Sequence, residues 1–388
     1  MTYRILLVGG GTGGHIYPLV AVSRELQKLA SKRGANLELM VVADNNIWRS
    51  EFESRGVRFK KILAPKLRKV EGGRTNFLAF LMIPFALIQA LWTLFVFMPD
   101  LVFSKGGIIS VIPSLVAKLY FIPLFIHESD AVPGKANQFL SKFAKKVFIS
   151  YEKSATYFKN TVLSGNPIRE SLFGRNRLEA AKYFNLNPDK KTILFLAGSQ
   201  GAVSINKLLI NSIVQLTKNF QIIHQTGSKN FDLVKVEIEK IKGDGKDSYI
   251  KNIENNYRGY GFLNEEELSS VYALCDIIVS RSGSNIFEIA YLGKPAIVIP
   301  YPYSAGNHQR ANAMEFSKFG AVVLEEANLS PNILIDQIQH LLKPENYASI
   351  SQRIKQFAKP EAGKIIANEI LKKFKTQITN FNSNAEMF

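Results

Sequence analysis

Short unbroken apolar runs alternate along the chain with longer segments whose apolar residues recur every three to four positions. Residues 5–8 are such a run, closed by glycines, and predict a strand buried on both faces, as in a parallel sheet. A helix pattern follows over 18–30, then a second strand over 37–42. Further strands are predicted at 101–104, 124–127 and 147–150. The alternation is that of a doubly wound α/β domain. It then restarts. Residues 193–197 predict a strand, a glycine turn follows, and a helix begins after Ser204. Strands are predicted again at 221–225, 277–280 and 296–300. Two nucleotide-binding-type halves therefore lie in tandem, and turn residues at Gly165-Asn166-Pro167 mark the join. The expected division is a first domain over 1–166 and a second over 167–346. One helix over 347–375 should return to the first domain, and 376–388 should form a flexible tail.

One segment breaks this pattern. Residues 77–98 carry no charge and are rich in Phe, Leu, Met and Ile, with Trp92, interrupted by Pro84, Gln89 and Thr93. The length is enough to cross a bilayer. Strand patterns that should share one sheet lie on both sides of it, which argues against a span. A helix packed on the outside of an α/β sheet should carry a polar face, which argues against a plain core helix. An interfacial helix, with Phe77, Phe80, Leu81, Phe85 and Trp92 as membrane contacts, is the favoured reading. Lys60, Lys61, Lys66, Arg68, Lys69 and Arg74 lie just upstream and suit an anionic bilayer surface. An ordinary solvated basic face is the alternative.

Composition narrows the picture. The chain has 388 residues, enough for two cores, and its 46% hydrophobic and 21% charged content is that of a globular protein. The net charge of +17 calls for anionic partners: nucleic acid, an acidic membrane or phosphorylated substrates. A single cysteine, Cys275, excludes an intrachain disulfide framework and fits a reducing cytoplasm; it reads as a small core residue. The first residues run straight into an apolar strand with no signal-peptide pattern, so a cytoplasmic protein is expected.

Candidate chemistry sits where the predicted strands end. Gly9-Gly10-Gly11-Thr12-Gly13-Gly14-His15 follows the first strand. Glycines there let backbone N–H groups approach a phosphate or sugar, and the next helix adds its positive end. The loop lacks the Gly-Lys-Ser/Thr ending of a P-loop. His15 is titratable near neutral pH and faces either a substrate or a structural cap. His127-Glu128-Ser129-Asp130 ends another strand, where open α/β sheets place ligands. Its side chains either supply a base and bind hydroxyls or cap the next helix. Gly198-Ser199-Gln200-Gly201-Ala202 mirrors the first loop and suits a diphosphate. Arg281-Ser282-Gly283-Ser284-Asn285 precedes Glu288, whose carboxylate suits two ribose hydroxyls; a plain helix glutamate is the alternative. His308-Gln309 with Asn312 offers amides suited to sugar hydroxyls. The chain contains no Asp-x-Asp for a metal–diphosphate clamp and no His/Cys spacing for zinc, so neither metal nor cofactor is expected.

Taken in order, these segments resemble the MurG-type transferases. The likeness runs over nearly the whole chain. It is carried by Gly10 to Pro18, Lys66-Leu67-Arg68, His127-Glu128, Ala131-Val132-Pro133-Gly134, Gly165 to Arg169 and Gly198 to Ala202. It continues through His224-Gln225-Thr226-Gly227, Ser280 to Gly283 and His308-Gln309 with Asn312-Ala313. The resemblance implies a GT-B fold, two Rossmann-like domains with parallel sheets facing across a cleft. It implies transfer of N-acetylglucosamine from UDP to a lipid-linked N-acetylmuramyl-pentapeptide, giving lipid II for peptidoglycan synthesis. The second domain would bind UDP-N-acetylglucosamine, with Glu288 at the ribose and the backbone near Leu263 at the uracil. Ser199 and Arg169 would lie near the diphosphate and Gln309 near the sugar, with Ser284 and Asn285 in the same site. Thr12, Gly13 and Gly14 would close over the donor. The family carries Glu-x-Asn where this chain has Glu128-Ser129-Asp130, which replaces an amide donor by an acceptor. The 281–288 stretch is one residue shorter than the family's.

The expected chemistry is an inverting single displacement, with charge on the departing diphosphate met by helix N-termini, backbone N–H groups and Arg169. His15 is the first candidate base, Asp130 the second, and Glu128 completes the catalytic set. The expected place is the cytoplasmic face of the cell membrane, held peripherally by its anionic surface. A transferase to another lipid such as diacylglycerol, or a non-catalytic UDP-sugar-binding membrane subunit, is the rival. No nucleic-acid partner is expected, since charge alone supports one.

Overall fold

The computed structural model describes residues 2–65, 77–198, 201–243 and 245–385, the side chains of 77–80 and 375–385 excepted. The chain divides into two compact units, Met1–Arg169 with Lys359–Phe388, and Glu170–Ala358. Each is built on a parallel sheet with helices on its faces, the architecture the alternating pattern predicts.

The first sheet contains β1 (Thr2–Val8), β2 (Asn36–Ala43), β3 (Arg58–Lys61), β4 (Leu101–Ser104), β5 (Leu124–Glu128), β6 (Lys146–Ile149) and β7 (Thr161–Leu163). Their spatial order is β3-β2-β1-β4-β5-β6-β7. The chain winds outward from β1 to β3, then returns to the other side of β1 through β4. The strand order therefore reverses between β1 and β4, and a crevice opens at their carboxyl ends. In register, Val8 pairs with Ser104, and Ser104 with Ile126, so the loops after β1, β4 and β5 leave the sheet side by side.

Both faces of this sheet are buried. Under one face, Leu19, Val22 and Leu26 of the Gly13–Lys32 helix pack with Ile5, Leu7 and Val41. Ile366, Ile370, Leu371 and Phe374 of the Ala362–Ala385 helix join the same core, and Phe374 stacks on Tyr3 with ring centroids 4.3 Å apart. Under the other face, Ala90, Leu94 and Phe97 of the Phe77–Phe97 helix pack with Val8, Val102 and Val116.

The Phe77–Phe97 helix is thus half a core helix. Ala86, Ala90, Leu94 and Phe97 recur at helical spacing and are buried. The opposite side is equally apolar and lies in solvent: Leu81, Phe85 at 63% exposure, Ile88, Trp92 at 65% and Phe95. Beyond it, Leu119 and Phe121 end the Ile108–Leu119 helix region, and Phe121 is 92% exposed. Among the described residues no helix is long and apolar enough to cross a membrane. Phe77 and Phe80 lie outside the described side chains, and Lys66, Arg68, Lys69 and Arg74 outside the described residues.

The second sheet contains β8 (Thr192–Leu196), β9 (Gln221–Gln225), β10 (Tyr257–Tyr260), β11 (Ile277–Ser280), β12 (Ala296–Val298) and β13 (Val322–Val323). Its order, β10-β9-β8-β11-β12-β13, repeats the reversal, here between β8 and β11.

The carboxy-terminal stretch corrects one expectation. The single helix expected over 347–375 is two, Pro344–Phe357 and Ala362–Ala385. Pro360 breaks it, since proline cannot donate the backbone bond and restrains the residue before it. The earlier helix sets Phe357 against Phe287 and Phe316 in the second unit, while the later one completes the first unit's core. Of the tail expected over 376–388, the backbone is helical to Ala385.

Candidate active site

In the first unit the loop after β1 is shaped by glycine. Gly11 has φ +86° and donates its N–H to Asp44 Oδ1 at 2.9 Å. A Cβ at Gly10 would lie 2.6 Å from the same oxygen, so only glycine lets the loop pass Asp44. Thr12 precedes the helix and is exposed, while Gly13, Gly14 and His15 form its first turn and are part-buried. His15 Nδ1–H donates to the Gly10 carbonyl at 3.0 Å. That bond selects the tautomer whose Nε2 carries the lone pair, the form a general base requires. A Cβ on Gly107, in the loop after β4, would sit 3.2 Å from the imidazole, so the ring lies on that backbone.

The loop after β5 is organised by Glu128, which is buried. Its Oε1 accepts from the Asp130 N–H at 2.9 Å. Its Oε2 accepts from the Gly134 N–H at 3.1 Å and from Asn137 Nδ2 at 3.0 Å. Glu128 therefore holds the 128–134 turn, and Asp130 is the part-buried carboxylate that the turn carries. Burial raises the Glu128 pKa to about 7, aided by the Asp130 charge and opposed by the bonds from Asn137 and the Asp130 N–H and by the Lys105 charge. His127 is fully buried. Its Nε2–H donates to the Gly165 carbonyl at 2.9 Å, and burial holds its pKa well below the ordinary value. It is a neutral tie between β5 and the Gly165 turn.

Lys105, directly after β4, joins this group and was not among the residues singled out from sequence. It is 1% exposed, and its Nζ has no hydrogen-bond partner among the described residues. Burial lowers its pKa to about 8, against the pull of the Glu128 and Asp130 charges. Its one trace in the sequence is its place, between the apolar run Leu101-Val102-Phe103 and Gly106-Gly107, and its burial follows only from β4 lying between β1 and β5.

Arg169 closes the first unit and is 5% exposed. Its guanidinium carbon stands 3.7 Å from the centre of the Tyr17 ring. Tyr17 in turn meets Trp48 edge-on at 5.3 Å, and a Cβ on Gly13 would be 2.7 Å from the Tyr17 ring. Arg169 is thereby anchored to the first turn of the glycine-loop helix.

In the second unit the candidate residues gather at the carboxyl ends of its strands. Gly198 and Gly201 flank the turn after β8 with φ +75° and +78°. Ser199 lies outside the described residues. Ser284 and Asn285 begin the Asn285–Leu292 helix after β11, and Glu288 one turn later accepts from the Tyr272 hydroxyl at 3.0 Å. Gln309, after β12, accepts from the Tyr301 N–H at 2.9 Å, and its carbonyl accepts from the Ser282 hydroxyl at 2.6 Å. Asn312 Nδ2 donates to the Ser282 carbonyl at 3.1 Å, so the 281–284 and 308–312 segments are stitched together. Leu263 follows β10, is buried, and donates its N–H to Gln225 Oε1 at 3.2 Å. His224 on β9 sits between Asn206 Oδ1 at 3.0 Å and the Tyr257 hydroxyl at 3.1 Å, fully buried. Among the described residues no group of three His, Cys, Asp or Glu side chains is placed to hold a metal ion.

Comparison with known proteins matches residues 5–149 to the glycosyltransferase family 28 N-terminal domain and 192–367 to its C-terminal domain. The chain is similar to a Flavobacterium psychrophilum protein, 36% identical, covering 97% of this chain and 99% of that one. It is similar also to a Halothermothrix orenii protein, 33% identical, covering 95% and 98%. Both are named UDP-N-acetylglucosamine–N-acetylmuramyl-(pentapeptide) pyrophosphoryl-undecaprenol N-acetylglucosamine transferase. Among solved structures, the Acinetobacter baumannii MurG superposes with a TM-score of 0.69 at 23% identity, over 95% of this chain and 99% of that one. A Neisseria meningitidis UDP-GlcNAc 2-epimerase bound to UDP-GlcNAc superposes with 0.67 at 18% identity, over 95% and 100%. These two likenesses show a shared GT-B fold.

Proposed function

The chain belongs to glycosyltransferase family 28, and on that footing we propose that it moves N-acetylglucosamine from UDP to an N-acetylmuramyl-pentapeptide joined by pyrophosphate to undecaprenol. The observation that carries this reading is its identity of 36% over nearly full length to a relative named for that transfer. The product is the disaccharide lipid intermediate of peptidoglycan synthesis.

The second unit binds the donor in this reading. Glu288 receives the ribose hydroxyls, Gln309 the sugar, Ser199, Ser284 and Asn285 the phosphate side, and the chain around Leu263 the uracil. Arg169 adds positive charge toward the diphosphate, and the Thr12–Gly14 backbone donates to the donor. The first unit receives the acceptor at the β1/β4 crevice. The acceptor hydroxyl attacks the anomeric carbon as its proton passes to His15 Nε2. The bond from that carbon to the diphosphate breaks with its electron pair leaving on UDP. The tautomer fixed by the Gly10 carbonyl supports His15 in this role; Asp130, on the turn held by Glu128, is the second candidate.

The apolar face of Leu81, Phe85, Ile88, Trp92 and Phe95, continued by Leu119 and Phe121, docks on the anionic cytoplasmic leaflet, and exposed Lys60 and Lys61 contribute charge. A contiguous apolar surface of this kind is costly in water and calls for a partner. The enzyme is peripheral in this reading, and nucleic acid is no partner.

The test is UDP release from UDP-N-acetylglucosamine, with and without the lipid-linked N-acetylmuramyl-pentapeptide. Acceptor-dependent release is expected. Donor binding without release, restored by diacylglycerol, would replace the acceptor.

A further inference from the structure

The turn that carries Asp130 is built around an ionised carboxylate. Three N–H groups, from Asp130, Gly134 and Asn137, converge on the two oxygens of Glu128. A carboxylate accepts at both oxygens, whereas a protonated carboxyl must spend one of them on its own O–H. Yet Glu128 is buried, and the Asp130 carboxylate stands close by; both facts favour protonation. A buried charge needs a counter-charge.

Lys105 is the cation in position to supply it. It leaves β4 beside β5, it is buried, and its ammonium has no hydrogen-bond partner among the described residues. Among the described residues, the titratable and charged groups around it are few. Glu128 ends β5 and Asp130 follows it, and burial keeps His127 on β5 neutral. His15 stands on the first turn of the Gly13–Lys32 helix, and Asp44 accepts from the Gly11 N–H of the glycine loop. Gly9 leaves room for the lysine stem, since a Cβ there would come within 3.3 Å of the Lys105 Cβ.

We propose that Lys105 is a positioning residue for the transfer step: its buried ammonium keeps Glu128 and Asp130 ionised together, and so holds the 128–134 turn in the geometry that faces the acceptor. The proposal rests on the acceptor-side reading given above. It acts through the turn and requires no contact between Lys105 and substrate.

The test compares wild type with Lys105→Met and Lys105→Arg, measuring kcat/KM for the acceptor and chemical unfolding from pH 5 to 10. Methionine matches the length of the lysine stem and fits a buried apolar site. In Lys105→Met the acid limb of kcat/KM moves up by a unit or more, so activity at pH 6.5 falls about tenfold or further and recovers toward pH 9. Lys105→Arg keeps the acid limb in place. Unfolding gives an answer independent of turnover. A carboxylic acid whose pKa is raised by folding loses stability as pH rises through its folded value, so the loss through Glu128 extends above pH 7 in Lys105→Met. A lysine whose pKa is lowered to about 8 gains stability as pH rises from there toward 10.5, and that gain disappears in both variants. A folded Lys105→Met whose pH–rate profile matches wild type, or is lower by one constant factor at every pH, overturns the proposal. If wild type shows no acceptor-dependent release, the transfer reading fails instead, and superimposable unfolding curves for wild type and Lys105→Met then overturn this inference. Should Lys105→Met not fold, Lys105→Gln takes its place, and a folded Lys105→Gln with the wild-type pH–rate profile overturns the proposal.

Discussion

Replacing Tyr17 by Leu should weaken use of the donor without disturbing the fold. Arg169 is almost wholly buried, and its guanidinium lies 3.7 Å above the Tyr17 ring. A desolvated cation over an aromatic face is worth about 2 kcal/mol, and leucine offers the cation no quadrupole. Leucine also gives up the edge contact with Trp48 and the ring surface that covers Gly13. With 1.4 kcal/mol per factor of ten, losing roughly 1.5–2 kcal/mol of anchoring lowers kcat/KM for UDP-N-acetylglucosamine about ten- to thirtyfold. Tyr17→Phe keeps the ring and should remain within about threefold of wild type. Steady-state UDP release at saturating acceptor measures both, with a thermal melt to confirm folding. If folded Tyr17→Leu stays within threefold of wild type, or Tyr17→Phe is as impaired as Tyr17→Leu, the stack does not position Arg169 and the reasoning fails.

Three further outcomes follow from other parts of the chain. His15→Ala should lower kcat by about 10²–10⁴ while leaving donor affinity nearly unchanged, and a loss under threefold would remove His15 as base. Phe85→Asp with Trp92→Asp should weaken binding to anionic vesicles at least about tenfold in a sedimentation assay, since each ring loses burial worth about 2 kcal/mol; unchanged binding would move the membrane face elsewhere. His224 is held neutral by burial, its pKa lowered to about 3. Its contribution to stability is whole above pH 6.5 and declines as pH falls from there toward 3, at up to about 1.4 kcal/mol per pH unit. Urea unfolding between pH 7 and 5 should therefore show a shallower decline in His224→Gln than in wild type, and parallel declines would argue against a buried neutral imidazole.

The strands read from sequence and the strands missed differ in one physical respect. The runs at 5–8, 101–104, 193–197 and 277–280 became central strands, whose side chains are buried on both faces and so leave an unbroken apolar record. The four not predicted, β3, β7, β10 and β13, are the four edges of the two sheets. Arg58-Phe59-Lys60-Lys61 buries one side chain in four, and Tyr257-Arg258-Gly259-Tyr260 buries none completely. Edge strands are short and half polar, and their pairing is decided by the neighbour rather than by their own sequence. The site followed the same logic. Glycine loops and strand-end carboxylates announce themselves by type and place, so His15, Glu128 and Asp130 could be named. Lys105 could not be separated from the chain's many other lysines, because its burial depends on β4 lying between β1 and β5. The helix over 347–375 was misread because its two halves share one periodicity, and only Pro360 records that they serve different cores.

That last division bears on how the protein is made. The first unit takes Ile366, Ile370, Leu371 and Phe374 into the core beneath β1, although they emerge from the ribosome only after the entire second unit. Four such side chains represent roughly 6–12 kcal/mol of burial, comparable with the whole margin by which a domain stays folded. During synthesis the nascent first unit therefore waits, at bacterial rates for roughly tens of seconds, with the groove for the Ala362–Ala385 helix uncovered. The second unit can close on its own meanwhile. A message cut short, or a nonsense codon near 359, would release a chain whose second unit is finished and whose first unit is left to chaperones and proteases.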